Sequence, residues 1–274
     1  MLNHSPTPCI AVGIDGSQSA LDAALWAIDE AVHFGVPLRL VNVVEPAEPA
    51  LNDPGDLAPR MAAAEVAVRN ALTAVESTKR PVTIEAEILQ GRPVQTLLEA
   101  ARSALILGIG ARGLKHATQG RIGSTAAALS AAAHCPVVIV RAQRPHGGHN
   151  RAVVIELDDT ARGGAVLQRG LDAAKRRNAP VFVLTPARMH ADVQAQWQRR
   201  LAEWQHRYSD LDITSVSTQG GGLDYIAAHA DSIQLVVVSR EGRNGLGALV
   251  GAPGNAALRD TDCSIMVCEP HNAL

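Results

Sequence analysis

The sequence of 274 residues is poor in aromatic side chains, with two Phe, two Tyr and three Trp. Aromatic platforms on which the bases of single-stranded nucleic acid could stack are therefore not expected. An excess of positive charge is lacking as well, since 25 Lys and Arg stand against 27 Asp and Glu and the formal net charge is −2. A chain without a positive field has no general attraction for a polyanion, so nucleic acid is not the expected partner.

Long apolar runs are also missing. No stretch of about 18 apolar residues occurs, and the first residues, MLNHSPTPCI, lack a basic segment followed by an apolar one. We therefore expect neither membrane insertion nor secretion. The four cysteines form no C-x-x-C pair, and three of them stand in or beside runs of Val and Ile. This pattern is typical of buried thiols in a reducing compartment and predicts a cytoplasmic protein.

What the chain does contain is small and branched apolar residues, which bring its apolar fraction to 47%. Such a composition supports packed globular structure, and the length favours two domains over one. With so few aromatics, the cores must be built from Ala, Val, Leu and Ile, which suits helices packed on parallel strands.

The two halves of the chain repeat one pattern. Residues 9–17, CIAVGIDGS, and residues 152–160, AVVIELDDT, are apolar runs that end in acidic and small polar residues. Three further signals keep a constant offset of 143 positions: Asp15 with Asp158, Gly35 with Asn178, and Pro37 with Pro180. A fixed register of this kind indicates a tandem repeat.

Later in each half the offset shrinks. The offset is 129 for Gly113 with Gly242, so the second copy lacks 14 residues, which we assign to the loop at residues 46–56. The offset is 128 for Gly123 with Gly251, so one more residue is missing between these glycines. The stretch RAQRPHGGHN, residues 141–150, is rich in Pro, Gly and His and reads as a linker. We therefore predict two domains, residues 1–143 and 150–274.

Within the first copy, apolar residues at helical spacing follow the first strand, and Ser19 with Asp22 has the spacing of a capping box. Further strands are predicted at residues 38–44, 82–88, 104–109 and 136–140, and helices at 60–76, 94–101 and 125–133. This alternation predicts an α/β fold with a Rossmann-like, doubly wound, five-stranded parallel sheet in each copy. Such sheets bind ligands at the carboxyl ends of their strands, where the strand order reverses.

The most informative segment is GIGARGLKHATQGRIGST, residues 108–125, which leaves a strand and opens into a helix. Its first glycines spell G-x-G-x-x-G, but this is not the first strand–helix unit, and no Asp or Glu in residues 114–150 could hold a ribose. A dinucleotide site is therefore rejected. A P-loop is rejected too, because the chain contains no Gly-Lys-Ser/Thr triplet.

A different spacing fits an anion better. Two residues separate Gly110 from Gly113 and nine separate Gly113 from Gly123, which opens the helix together with Ser124. Glycines let a backbone approach an anion closely, and a helix N-terminus presents free N–H groups to phosphate. Ser124 is either a hydroxyl donor to that phosphate or merely the N-cap of the helix.

At these residues the sequence resembles the universal stress protein family, in particular its ATP-binding branch with the pattern G-x-x-G-(nine)-G-S/T. The resemblance spans both halves, in the tandem arrangement common among actinobacterial members, and includes AVGIDGS with Asp15 and LVNVVEP with Val43. It implies that Val43 holds the adenine edge with its backbone and that Asp15 lies beside the nucleoside. It also implies a phosphate site, with ATP bound alone or with Mg²⁺, lined by Gly110, Arg112, Gly113, Gly123, Ser124 and Thr125.

Plainer interpretations apply to several of these residues. Asp15 could cap the first helix. Lys115, His116 and Arg121 are candidate phosphate ligands, although loop cations are more often solvated. His146 and His149 lack a third ligand and a second shell, so a metal site is rejected.

The second copy carries a weakened version of the site. Ser239 replaces Gly110, Ala252 replaces Ser124, and eight residues rather than nine separate the last two glycines of the pattern. Val43 aligns with Pro186, which has no N–H to offer an adenine edge. We therefore expect one nucleotide per chain, with the second copy acting as a structural partner.

No nucleophile-and-base motif such as G-x-S-x-G or H-E-x-x-H occurs. The favoured function is a non-catalytic regulator in stress adaptation, with ATP held or slowly hydrolysed, a homodimeric state and an unidentified protein partner. One alternative, an adenylyl-transferring enzyme, requires a His-x-Gly-His motif or an S-G-G-x-D-S loop, and neither accompanies the glycine segment. Another, an assembly protein that binds no nucleotide, is disfavoured by the intact glycine pattern of the first copy.

Overall fold

The structure is a computed structural model, and it divides into two compact units, Met1–Ala142 and Gln143–Leu274. It describes residues 7–46, 57–113, 122–141, 151–157, 163–187, 191–219, 222–241, 247, 249, 251–258 and 261–269.

The first unit alternates strands and helices along the chain. Its elements are β1 (Cys9–Gly13), α1 (Gln18–Phe34), β2 (Leu38–Val44), α2 (Leu57–Ser77), β3 (Ile84–Gln90), α3 (Pro93–Ala100), β4 (Ala104–Gly110), α4 (Ser124–Ala132) and β5 (Val137–Val140). The strands are parallel and follow the order β3-β2-β1-β4-β5. The predicted doubly wound α/β sheet is confirmed.

The second unit repeats this architecture. Its elements are β6 (Ala152–Glu156), α5 (Gly164–Arg177), β7 (Val181–Pro186), α6 (Ala191–Arg207), β8 (Ile213–Thr218), α7 (Gly222–His229), a 3₁₀ turn (Ala230–Ser232), β9 (Ile233–Ser239), α8 (Ala252–Ala257) and β10 (Ser264–Cys268). Its parallel strands follow the order β10-β9-β6-β7-β8, which is the same winding.

Strand register also repeats between the units. Gly13 pairs with Val41 in the first unit and Glu156 pairs with Leu184 in the second, an offset of 143 on both strands. In each unit the residue after this strand donates its amide to the carbonyl of that same partner, at 2.8 Å in the first and 3.0 Å in the second. The two units can therefore be compared position by position at this end of the sheet.

The start of α1 differs from the prediction. The N-cap is Ser17, whose hydroxyl accepts a hydrogen bond from the amide of Ala20 at 3.2 Å. Asp22 instead accepts from the side chain of Gln18, and the predicted capping box of Ser19 and Asp22 does not form. The helix begins earlier because Ser17 already supplies the acceptor that the first free amides need. At its other end, Gly35 takes the left-handed conformation with φ of 63°.

The cores are built as the composition suggests. The central strands of both units are largely buried, and most of their residues are Ala, Val, Ile and Leu. All four cysteines are buried and none forms a disulfide, and burial raises the pKa of the Cys9 thiol and raises that of Cys268 to about 12. Neither of these two thiols is therefore primed as a nucleophile.

Over the described residues, no helix has both the length and the apolar character that crossing a membrane requires.

Candidate functional site

The carboxyl ends of β1 and β4 lie side by side at the centre of the first sheet. From there the chain winds outward in opposite directions, with α1 packed against α2 and α3 packed against α4. Right-handed crossovers place these two helix pairs on opposite faces of the sheet, which leaves a crevice between the two strand ends. The eight predicted site residues all lie at this edge, on β2, after β1 and between the end of β4 and the start of α4: Asp15, Val43, Gly110, Arg112, Gly113, Gly123, Ser124 and Thr125.

Asp15 and Gly113 face each other across the crevice. A β-carbon added at Gly113 would lie 2.9 Å from Oδ2 of Asp15. The other carboxylate oxygen of Asp15 accepts a hydrogen bond from the amide of Ser17 at 2.9 Å. The carboxylate is exposed and is not the N-cap of α1, and it lies at the mouth of the crevice.

Gly110 has a different role from the one predicted. A β-carbon there would lie 2.6 Å from the amide nitrogen of Ala20 and 2.6 Å from the carbonyl carbon of Ser19. The missing side chain thus makes room for the first turn of α1 rather than for a phosphate. The first turn of α1 therefore occupies the side of the backbone that was predicted to face a ligand.

Two serines for which the sequence indicated no role at the site hold the turn after β4 in place. Ser19 Oγ donates to the carbonyl of Arg112 at 2.5 Å and accepts from the Arg112 amide at 3.1 Å. Ser17 Oγ lies 3.1 Å from the same carbonyl. The backbone of Arg112 is therefore engaged with α1, and only its exposed side chain can reach a ligand.

The opposite wall of the crevice is the start of α4. The amide of Ala111 donates a hydrogen bond to the carbonyl of Val140 at 2.8 Å. The amide of Gly123 donates one to the carbonyl of Ala111 at 2.9 Å. Gly123 is the N-cap and offers no side chain to the free amides of the first turn. Ser124 and Thr125 are exposed at this end. Ser124 is therefore the first helical residue and not the N-cap, and its role as a hydroxyl donor to phosphate stays a prediction.

The backbone of Val43 points into the crevice. In a parallel ladder, successive residues direct their N–H and C=O groups to alternate sides. Val41 accepts from Ile14 on the β1 side and Val44 accepts from Gly91 on the β3 side, so Val43 faces the β1 side. Asn42 donates to the Ile14 carbonyl at 2.8 Å, and β1 has ended at Gly13. The N–H of Val43 thus lies beyond the last β1–β2 residue pair, Gly13 with Val41.

The corresponding edge of the second unit differs at each position that can be compared. Pro186, at the place of Val43, also faces the first strand of its unit but has no N–H. Ser239, at the place of Gly110, is 5% exposed, and its hydroxyl has no partner among the described residues. Ala252 begins α8 where Ser124 begins α4.

Some predicted positions lie outside the described residues. These are Lys115, His116, Arg121, His146, His149, Asp158 and Gly242. Within the part that is described, no group of three or more His, Cys, Asp or Glu side chains could hold a metal ion.

A matched pair of substitutions tests the role found for Gly110. Gly110→Ala places a methyl group against the backbone of α1 and should lower the free energy of unfolding by about 1–3 kcal/mol. Gly123→Ala has room, with 3.7 Å to the Ala111 carbonyl, and should cost less than about 1 kcal/mol. Urea denaturation followed by circular dichroism measures both, and equal losses would contradict the packing of Gly110 on α1.

Comparisons with known proteins find a family and several relatives with similar sequences. Residues 9–141 match the sequence model of the universal stress protein family. A universal stress protein of Mycobacterium tuberculosis strain H37Rv is 44% identical over 271 residues, covering 97% of this chain and 97% of that protein. Another from the same strain is 36% identical over 262 residues, covering 94% and 95%.

A solved structure shows the same fold. The crystal structure of a universal stress protein from Archaeoglobus fulgidus DSM 4304 matches with a TM-score of 0.73 and 14% identity, covering 95% of this chain and 96% of that one. At this identity the likeness concerns the fold alone. The 44% identity to a relative over 97% of both chains shows the family, and the chain belongs to the universal stress protein family.

Proposed function

We propose that the first unit binds one ATP at the crevice between β1 and β4, and that the protein is a non-catalytic, nucleotide-dependent regulator in stress adaptation. The observation that carries the proposal is the placement of two backbone surfaces at one sheet edge. The backbone of Val43 faces the crevice from one side, and the uncapped first turn of α4 faces it from the other.

The base end of the crevice suits adenine. The N–H and C=O of Val43 point to the same side of β2, which places a donor beside an acceptor. At its N7 edge, adenine presents an acceptor ring nitrogen next to the N6 amino donor. Guanine presents two acceptors, N7 and O6, at the same edge. A backbone donor beside a backbone acceptor therefore favours adenine over guanine.

The phosphate end suits an anion. The N-cap of α4 is Gly123, so no side chain competes for the first amides of the helix, and the hydroxyls of Ser124 and Thr125 are exposed beside them. The helix dipole adds partial positive charge at the same place. The exposed guanidinium of Arg112 can reach the same phosphates from the turn after β4.

Asp15 fits between the two ends. A carboxylate repels phosphate oxygens but accepts hydrogen bonds from the hydroxyls of a ribose. Its place opposite Gly113 lies between Val43 on β2 and the start of α4. We assign it to the ribose for that reason. Any Mg²⁺ would then be held chiefly by the phosphates, as is usual for this ion.

The hydroxyl groups of this edge support a non-catalytic role. A serine nucleophile needs a neighbouring base to accept its proton. The hydroxyls of Ser17 and Ser19 both lie within hydrogen-bonding distance of the Arg112 carbonyl, which is not a base of that kind. Slow hydrolysis of bound ATP would therefore depend on water and not on a protein nucleophile.

The adenylyl-transferase alternative has one point in its favour. Residues 146–149, HGGH, have the His-x-Gly-His spacing, although they stand in the linker and lie outside the described residues. They follow β5, whereas the proposed crevice is formed by the segments that follow β1 and β4. We therefore keep the regulator as the proposed function. Its homodimeric state and protein partner rest on the family resemblance, and its cytoplasmic place rests on the pattern of its cysteines.

One nucleotide per chain is expected because the second unit lacks two of the groups just described. Pro186 has no N–H where Val43 has one, and Ala252 has no hydroxyl where Ser124 has one. Purified protein denatured in acid and analysed by mass spectrometry should release adenine nucleotide at about one molecule per chain. Two per chain would contradict the loss of the second site, and none after incubation with ATP would favour the nucleotide-free assembly protein.

A substitution at Gly113 tests the site directly. Gly113→Ala sets a methyl group against the Asp15 carboxylate and the path of the phosphates, so ATP should bind at least about tenfold more weakly, or about 1.4 kcal/mol. The control is Gly164→Ala on α5, where an added methyl group meets nothing within 4 Å. Isothermal titration calorimetry measures both. Native affinity in a normally folded Gly113→Ala variant would remove Gly113 from the site.

A further inference from the structure

The last residue of the first strand differs sharply between the two units. β1 ends at Gly13 and β6 ends at Glu156, and the shared register shows that these residues occupy the same position in the two sheets. One position therefore carries no side chain in the first unit and a carboxylate in the second.

Glu156 reaches the start of α7. Its Oε1 accepts a hydrogen bond from the amide of Gly222 at 3.2 Å, and Gly222 is the first residue of that helix. The contact is close, because a β-carbon added at Gly222 would lie 2.6 Å from the carboxylate carbon of Glu156. A carboxylate at a helix N-terminus is favoured by the free amides and by the helix dipole. The side chain is thus held across the end of the sheet.

The first unit lacks both halves of this contact. Pro93 begins α3 at the position equivalent to Gly222, and proline has no N–H to donate. Gly13 has no side chain that could accept a hydrogen bond. A β-carbon at Gly13 would meet Leu97 and Ile109 at 3.4 and 3.5 Å, which are ordinary contact distances. A longer side chain there would continue past them toward the start of α3, as Glu156 does toward α7.

This position borders the proposed base site. Gly13 pairs with Val41, and Val43 is the next residue of β2 whose backbone faces β1. A base bound to Val43 must therefore lie just beyond Gly13. In the second unit the same space begins beyond Glu156 and beside Pro186, and the Glu156 side chain leaves the sheet at that point.

We propose that the residue ending the first strand decides whether each crevice accepts a nucleotide. Gly13 leaves the first crevice open to the base, and Glu156 fills the second with a carboxylate anchored at the start of α7. The carboxylate excludes a nucleotide by its volume beside the base, and its negative charge opposes the approach of a polyanion. This inference rests on the proposed function, since it explains which crevice binds ATP.

The test moves the acidic side chain into the first unit. In the full chain, Gly13→Glu should weaken ATP binding at least about tenfold in isothermal titration calorimetry, and Gly13→Ala should weaken it less. Gly13→Gln, which has nearly the same volume without the charge, separates filling from repulsion and replaces the acidic variant if that one does not fold. The control is Gly164→Glu, an equal change at a position with nothing within 4 Å, which should bind as the native chain does.

The outcomes separate this inference from the proposed function. If the native chain binds no ATP, the proposed function fails and this inference falls with it. If the native chain binds ATP and folded Gly13→Glu binds it equally well, only this inference is overturned.

A second measurement examines Glu156 without ATP. Amide hydrogen exchange should show the Gly222 amide exchanging at least about tenfold faster in Glu156→Ala, while the amides of β6 keep their protection. Unchanged exchange at Gly222 would show that the carboxylate is not anchored there and would overturn the second half of the proposal.

Discussion

The site of the first unit depends on one contact, the docking of the turn after β4 on the first turn of α1. Gly110 allows the two backbones to touch, and the hydroxyls of Ser17 and Ser19 hold Arg112 there. This contact sets Gly113 against Asp15. Without it, the turn after β4 would not be held beside the end of β1.

The two units show how little of the fold depends on the site. Both keep the same strand order and the same register at the ends of their first two strands. They differ in a few groups at one edge, such as Val43 against Pro186 and Gly13 against Glu156. None of these groups belongs to the buried apolar core that stabilises the sheet. A repeated fold can thus keep its architecture while the groups at one edge of its sheet change.

The fold was largely predictable because apolar runs and helical periodicity are local signals, and β2 lies where it was predicted, at Leu38–Val44. Predictions that depended on distant contacts were poorer. The prediction of a capping box at Ser19 was wrong, because Ser17 is the N-cap of α1. The Ser19 hydroxyl instead donates a hydrogen bond to the carbonyl of Arg112, 93 residues away in sequence. The role of Gly110 and the contact of Glu156 with Gly222 were missed for the same reason, since each joins segments far apart in the chain.

The central claim is that ATP occupies the first crevice and not the second. The most direct measurement is a titration of isotope-labelled full chain with ATP, followed through its backbone amide resonances. We predict that the amides of Val43, Gly113 and Ser124 shift together and saturate at one equivalent, while those of Leu184 and Ala252 stay unchanged. Shifts at the second crevice, or none at the first, would contradict the account.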